Sequence, residues 1–344
     1  MNLAYNVALA PRTTLGLGGP AKRLASVSDA DELAEALRSA DADQEPVLIL
    51  GGGSNLVIGD AGWNGLVIEL TMPEIRIAMH SDTAIVSAGA GATWDSFVAA
   101  MVDANLVGIE CLSGIPGKVG ATPMQNVGAY GQEVADTIGC IRAYDRQLGT
   151  ITEFFGDDCD FGYRTSVFRR SARWVILEVQ FQFSHSRLSA PIRYPELART
   201  LCVEIGERAP LAETRQAVLA LRRSKAMIVD SNDPDSRSAG SFFTNPIVEA
   251  SQLVAMQSQV ADAAIPHWPM PNGSVKLSAA WLIERAGFAK GHVHGNVGLS
   301  SKHSLALINR GGASTAELLG FATKIQRAVE RAFGVALVPE PIFV

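Results

Sequence analysis

Apolar residues recur along this chain with two different periods, and the switches between them mark out its elements. Ser28 to Ala40 (SDADELAEALRSA) has a serine with an acid three residues on and then apolar residues at helical spacing, which predicts a capped amphipathic helix. Thr93 to Leu106 repeats that arrangement after the strand-like AIVSAGAGA. Pro46 to Leu50 (PVLIL) reads as a short buried strand. From Thr137 to Phe183 the positions alternate as strands do, with a turn near Gly149, and the stretch ends in WVILEVQFQF. Helical spacing returns at Leu211 to Arg223, Leu277 to Ala286 and Thr315 to Phe333, where Leu318, Ile325 and Val329 form an ordinary core stripe. This order is mixed rather than a regular strand and helix alternation, so the expected fold class is α+β.

Two glycine-rich segments interrupt the pattern. Gly114 to Gly131 (GIPGKVGATPMQNVGAYG) holds five glycines among Ala, Pro, Gln and Asn, and Lys118 is its one charged residue. Glycine loses more conformational freedom on folding than any other residue, so this density points to backbone held close to something, with amide N–H groups as donors. A surface loop would share the composition, but a second cluster at Gly51, Gly52, Gly53, Ser54 and Asn55 shifts the balance toward a pyrophosphate. The first cluster follows a strand, as a dinucleotide-binding turn would. Leu56 then stands where the third glycine of that fingerprint belongs, and VIGDAGWNGLVIEL follows in place of an amphipathic helix, so a Rossmann unit is excluded.

Composition narrows the class. A chain of 344 residues with 47% hydrophobic residues fills real cores over two or three domains, and a net charge of −6 without a basic run argues against nucleic acid or an anionic membrane as partner. Cys111, Cys140, Cys159 and Cys202 are scattered, with no Cys-x-x-Cys pair, and read as reduced, mostly buried thiols rather than disulfides or zinc ligands. No apolar run reaches the length of a membrane helix and no signal peptide is apparent, so the expected compartment is the cytoplasm. The acidic charge and the lack of an apolar surface stripe favour a monomer.

Single residues carry weaker signals. Ser238 to Pro246 (SAGSFFTNP) sets Ser241 on a tight bend beside an apolar wall; the Gly-x-Ser-x-Gly elbow is absent and none of the six histidines stands in a triad context, so serine hydrolysis is disfavoured. In Asp160 to Arg170 (DFGYRTSVFRR), Arg164 suits bidentate carboxylate or phosphate recognition, although most arginines simply lie on the surface. VPEP holds Glu340 between prolines in an apolar tail. His292 and His294 lack a third ligand, so no metal site is assigned. Glu207 to Pro210 has linker composition, and Asp230 to Ser238 (DSNDPDSRS) reads as a surface loop ahead of the Ser241 turn.

Taken in order, TTLGLGG from Thr13, LGGGSN, IPGKVGATPMQNVGAYG, YRTSVF, RRSK, SAGSFFTNP, KLSAAWLIERAG and the final PEP resemble one family over nearly the whole chain: the UDP-N-acetylenolpyruvoylglucosamine reductases. The resemblance implies a vanillyl-alcohol-oxidase type fold, with FAD-binding subdomains at 1–66 and 67–209, a substrate-binding domain at 210–334, and a tail at 335–344 returning to the active site. It further implies non-covalent FAD, since no His or Cys lies in the 114–131 segment. The cofactor would meet Gly51, Gly52, Gly53, Ser54, Asn55, Ser113, Gly114, Ile115, Pro116, Gly120, Ala121, Gln125, Asn126, Gly128 and Ala129. Ala121 stands where the family usually has glycine.

The activity so implied passes hydride from NADPH to FAD and then to the enolpyruvyl ether of a UDP-sugar, in peptidoglycan precursor synthesis. Arg164 would stabilise the negative charge that develops, Ser241 would protonate the carbon, and Glu340 would assist. Tyr163, Tyr194, Lys225 and Asn245 would bind substrate, with Arg222 or Arg223 as alternatives to Lys225, and Tyr194 marks the subtype whose tyrosine-bearing loop closes over substrate. Two other readings are another flavoprotein of the same fold and a non-catalytic sugar-nucleotide binder; the second is expected to have lost Arg164, Ser241 or Glu340, and all three are present.

Overall fold

The computed structural model describes residues 1–169, 171–259 and 264–344. Arg170, the last residue of the DFGYRTSVFRR segment, lies outside the described residues. The chain divides into two compact units, one of Met1–Val7, Ala21–Gly53 and Trp63–Ile228, the other of Ala8–Pro20, Ser54–Gly62 and Val229–Val344. The helix at Leu211–Ser224, placed by sequence with the third domain, belongs to the first unit, and the segments 8–20 and 54–62 belong to the second.

In the first unit a four-stranded sheet runs in the order Asn2–Ala8, Pro20–Val27, Trp63–Leu70, Val47–Leu50, and the last two pairings are parallel. The PVLIL strand therefore exists and delivers the chain to Gly51. The helix Ala30–Ala42 packs Leu33, Ala36, Leu37 and Ala40 against this sheet. Its cap is Asp29, whose carboxylate accepts the Glu32 N–H at 2.8 Å, one residue later than the serine expected from sequence. Ser28 instead donates its amide to Glu32 at 2.8 Å, closing the box from outside the helix.

A larger antiparallel sheet follows the order Thr150–Phe155, Ile138–Asp145, Trp174–His185, Thr83–Gly89, Ile75–Met79. The expected turn is real: Gly149 takes φ +70° and donates to the Asp145 carbonyl at 2.8 Å. WVILEVQFQF is central because its alternate residues face the core, where Phe181 lies 5.0 Å from Phe97 and stacks on Phe183 at 5.7 Å. Phe97 comes from the helix Trp94–Asp103, which the pattern had placed at Thr93 to Leu106. Trp94 starts that helix, and its indole N–H donates to Leu112 O at 3.0 Å, tying the helix to the chain entering the glycine-rich segment.

The second unit packs the helices Ala279–Arg285 and Thr315–Phe333 over a core of Leu282, Ile283, Leu318, Phe321, Ile325 and Val329. Two three-stranded sheets flank them, one of Ile247–Val248, Val275–Leu277 and His267–Pro269, the other of Val293–His294, Val297–Leu299 and Leu307–Asn309. Short helices at Pro195–Leu201 in the first unit and Ala250–Gln259 in the second have no counterpart in the sequence reading. His292 and His294 both stack on Phe321, at 5.7 and 5.0 Å. All four cysteines are free; burial pushes the Cys159 thiol up to about 11 and Cys111 higher, and Cys202 is exposed. Among the described residues no helix is long and apolar enough to cross a membrane.

Phe97 is fully buried in the ring cluster. Phe97→Ala is expected to destabilise the first unit by about 3–5 kcal/mol, the range for a large aromatic truncated in a core; a denaturant titration reads it.

Candidate functional site

The glycine clusters of the first unit meet backbone to backbone. A Cβ on Gly52 would lie 2.6 Å from the Gly117 Cα, and one on Gly120 would lie 2.5 Å from the Ala90 Cβ. Side chains are thus excluded by contact distance, leaving main chain on view. At Gly51 the margin is wider: an added Cβ would meet the Ala121 Cβ at 3.5 Å, an ordinary contact, so alanine in place of the family's glycine is accommodated. The segment is held from beneath by Val119 N–H on Ala92 O at 2.9 Å and Gly120 N–H on Ala90 O at 3.0 Å.

One carboxylate fixes where the segment begins. Asp95, in the first turn of the Trp94–Asp103 helix, accepts the Gly114 N–H at 2.6 Å and a two-pronged pair from Arg215 at 2.6 and 3.0 Å. Burial works to raise its pKa, but the Arg215 pair and the Gly114 amide together outweigh it, and the carboxyl is held below its ordinary 3.8. Ser113 and Asn126 turn their side chains inward. Ser113 Oγ donates to Glu110 O at 2.6 Å, and Asn126 Nδ2 donates to Glu133 and to Gly162 O at 2.7 and 3.2 Å. Gly128–Ala129 pairs with Gln132–Glu133 as a short hairpin. Ser54 and Asn55 are counted with the second unit, where the Asn55 carbonyl accepts the Ile342 N–H at 2.9 Å.

Arg164 sits in left-handed backbone, φ +55°, a conformation costly for a residue with a Cβ and one that concentrates at ligand sites. Its Nη2 donates to Gly128 O at 3.1 Å, and its guanidinium lies 5.7 Å from the ring centre of exposed Tyr163. Asn126 through Gly162 and Ser166 through Met124 O at 2.8 Å bind this turn to the glycine-rich segment. Both predicted elements, far apart in sequence, therefore form one surface in the first unit.

Beside it lie Tyr130 and Tyr194, edge to face at 5.3 Å, with the Lys225 Nζ 5.8 Å from the Tyr130 ring centre. Desolvation pushes the Tyr130 phenol up to about 12. Lys225 is ion-paired with Glu196 and only partly buried. Arg222 behaves differently. It is buried, its Nη2 is spent on Met227 O at 2.8 Å, and desolvation pulls its pKa below the ordinary arginine value. Of the cations weighed from sequence, Lys225 has a head group within reach of a ligand, and Arg222 is framework.

In the second unit the tail pairs with the Ser241 turn. Glu340 N–H donates to Phe242 O at 2.9 Å, Thr244 N–H donates to Val338 O at 3.0 Å, and Phe243 opposes Pro339. Ile342–Phe343 continues in parallel with Leu56–Val57. Ser241 and Glu340 are thereby neighbours through main chain. Asn245 Oδ1 accepts the Ala279 N–H at 3.0 Å, so its side chain supports the start of a helix. TTLGLGG acquires a role as well, since Thr14 Oγ1 donates to Ser238 O at 2.6 Å behind the same turn. Sequence reasoning missed His303, whose Nε2 stands 3.5 Å from Ser241 Oγ, and it missed the Asp95 anchor with its Arg215. No local signal marks either.

Both glycine-rich segments of this α+β protein lie within residues 21–154, and that span matches the FAD binding domain family, which places the chain among FAD-binding proteins. Residues 233–344 match the C-terminal domain of UDP-N-acetylenolpyruvoylglucosamine reductase. The reductase of Thermobifida fusca is 51% identical, covering 100% of this chain and 98% of its own, and that of Salinispora arenicola is 49% identical over 96% and 93%. The fold is that of the Thermus caldophilus enzyme, with TM-score 0.68 at 24% identity over 100% of this chain and 99% of that one. The chain belongs to the UDP-N-acetylenolpyruvoylglucosamine reductase family and is an oxidoreductase.

Two outcomes test the cradle. Gly52→Ala drives a Cβ into the Gly117 backbone, so the purified variant is expected to lose flavin on dialysis at least tenfold faster than wild type, an effect of about 1.4 kcal/mol. Asp95→Asn keeps an acceptor for Gly114 but loses the charge facing Arg215; with Asp95 38% exposed, a cost of about 1–2 kcal/mol in the first unit is expected. Because the folded pKa of Asp95 is depressed, its contribution is present above the ordinary carboxylate value of 3.8 and lost as pH falls through the lower folded value. Unfolding midpoints measured from neutral to acid pH should therefore converge for wild type and Asp95→Asn at the acid end.

Proposed function

We propose that this protein reduces the enolpyruvyl ether of UDP-N-acetylglucosamine enolpyruvate to UDP-N-acetylmuramate, using NADPH and non-covalently bound FAD, in the cytoplasm and as a monomer. The observation that carries the reading is identity of 51% along the full chain to a reductase of that name, with Arg164, Ser241 and Glu340 all in place. The backbone of 51–53 and 115–117 suits a pyrophosphate, because main chain there can approach it without intervening side chains, while the amides of Gly114, Val119, Gly120 and Ala121 hold the cradle itself together. Held there, FAD would supply the hydride-transfer chemistry between NADPH and the terminal carbon of the enol ether.

Hydride addition leaves negative charge on the substrate carbon beside the carboxylate, spread into its oxygens. Arg164, fixed in a strained turn and bonded to Gly128 O, offers a guanidinium that stabilises this charge without reorganising. Ser241 Oγ gives its proton to that carbon. Glu340, held next to Phe242 by its own amide, assists the protonation from the tail. Lys225 and Tyr194 take the sugar diphosphate, Lys225 exchanging its half-buried partner Glu196 for phosphate at small cost, and Tyr163 adds a further contact to substrate. Asn245, which also braces the helix at Ala279, is read as a contact to the uracil end. On this reading the chain divides at 1–66, 67–209 and 210–334, with the tail 335–344, and the 67–209 part meets substrate as well as cofactor through Tyr163, Arg164 and Tyr194.

The test separates the half-reactions under anaerobic conditions. NADPH is expected to bleach the visible flavin band, and UDP-N-acetylglucosamine enolpyruvate, not UDP-N-acetylglucosamine, is expected to restore it. Bleaching without recovery would discard the substrate, and a colourless protein that takes up no FAD would discard the cofactor. Ser241→Ala should bleach at the wild-type rate and recover roughly 10²–10⁴-fold more slowly, the range for loss of a general acid.

A further inference from the structure

A serine hydroxyl is a weak acid, so a step in which Ser241 gives up its proton needs something to hold the charge left on oxygen. We propose that His303 is the positioning residue for Ser241: a neutral imidazole with its proton on Nε2 that donates to Ser241 Oγ, turns the hydroxyl hydrogen toward substrate and stabilises the alkoxide. This rests on the reading of Ser241 as proton donor.

The tautomer follows from the backbone. Leu305 N–H donates to His303 Nδ1 at 3.2 Å, and a ring nitrogen that accepts carries no proton, so in the neutral ring the hydrogen is on Nε2. That nitrogen stands 3.5 Å from Ser241 Oγ, a long contact of the kind that tightens when a ligand fills the site. The carbonyl of Leu305 accepts the Phe242 N–H at 2.8 Å. One residue therefore fixes both the imidazole and the turn that presents the hydroxyl, and the two side chains share a frame. Nδ1 accepts from an amide, whereas the histidine of a hydrolytic triad donates from that nitrogen to a carboxylate. His303 works as a donor, not as a base.

The loop before Ser241 supplies the rigidity. Asp235, buried in that loop, accepts Ser300 Oγ at 3.1 Å, Ser301 N–H at 2.8 Å and Ser301 Oγ at 2.6 Å. Ser300 Oγ in turn accepts the N–H groups of Lys302 and His303 at 3.0 and 3.2 Å, and the Lys302 ammonium reaches Asp233 at 2.7 Å. Burying a carboxylate is costly unless donors meet it, and here three donors do, all from the segment that aims His303. In the step itself the Ser241 O–H bond breaks and a C–H bond forms at the substrate carbon. The O–H electron pair stays on Oγ, held by the Nε2–H hydrogen bond until solvent water returns a proton.

The experiment repeats the anaerobic half-reactions with His303→Ala and His303→Gln. Wild type must recover its colour with the enolpyruvyl sugar; if it does not, the proposed function fails rather than the role of His303. Given that recovery, His303→Ala is expected to bleach with NADPH within about twofold of wild type and to recover about 10²–10³-fold more slowly, the cost of removing one donor to a developing oxyanion. His303→Gln, which keeps an N–H donor, is expected to regain at least about tenfold of that loss. A His303→Ala rate within about threefold of wild type, or a His303→Gln rate no better than His303→Ala, would overturn the proposal. A readout independent of turnover is the nitrogen NMR spectrum of histidine-labelled protein, with the His303 signals identified by their absence in His303→Gln. Protonated Nε2 with bare Nδ1 supports the assignment, and the opposite tautomer ends it.

Discussion

The glycine-rich surface depends on backbones approaching more closely than any side chain permits. At Gly52 the space for a Cβ is already taken by the Gly117 backbone, so the two segments touch there only as bare main chain, and at Gly120 the Ala90 Cβ fills the same space. Glycine is expensive to order, and the structure offsets that cost with specific anchors instead of propensity. Asp95 is the main one, because a single carboxylate grips the Gly114 amide and the Arg215 fork at once. Asn126 performs the same task farther along, with its amide spent on Glu133 and Gly162. Polar side chains inside a candidate cofactor loop are here scaffolding, and so are the amides of Gly114, Val119, Gly120 and Ala121, each spent within the chain.

The second unit solves a different problem, placing an acid, a hydroxyl and an imidazole in one neighbourhood without a continuous sheet. It uses isolated main-chain pairings: Glu340 to Phe242, Thr244 to Val338 and Phe242 to Leu305. Each brings one distant segment to the Ser241 turn. The hydrophobic core beneath, with Phe242 and Phe243 fully buried, keeps the turn from moving relative to those segments. The loop Asp230 to Ser238, at the surface along much of its length as composition marks it, is also a strut through buried Asp235.

How much of this was legible in the sequence follows the range of each interaction. Strands and helices with a strong period were readable, as at PVLIL, WVILEVQFQF and Thr315–Phe333, because burial imposes the period locally. Helix Pro195–Leu201 was not, since seven residues give too few turns for a stripe to register. The glycine clusters were readable as an amide surface because composition alone signals them. Asp95 with Arg215, 120 positions apart, and His303 with Ser241, 62 apart, were invisible, for nothing in the residues around either pair distinguishes a partner from a solvated charge. The cap expected at Ser28 was legible in kind but shifted by one residue, because Ser28 and Asp29 are adjacent and both are competent caps.

Charge placement explains why an acidic chain can serve an acidic ligand. The net charge is −6, yet the surface beside Tyr130 gathers Lys225 over one ring and Arg222 buried behind it. These two cations are held differently. Arg222 is locked to Met227 O in a desolvated site, so its field is permanent and its position fixed. Lys225 is tied to Glu196 in a pair about one-third exposed on each side, an arrangement worth about 0–1 kcal/mol. Releasing Lys225 from that pair therefore costs little, whereas moving Arg222 breaks a buried hydrogen bond. The fixed cation raises the local potential, and the loosely paired one is able to change partners. This division also disposes of the long-range repulsion, because at physiological ionic strength charges beyond about 8 Å are largely screened and the nearby pair dominates.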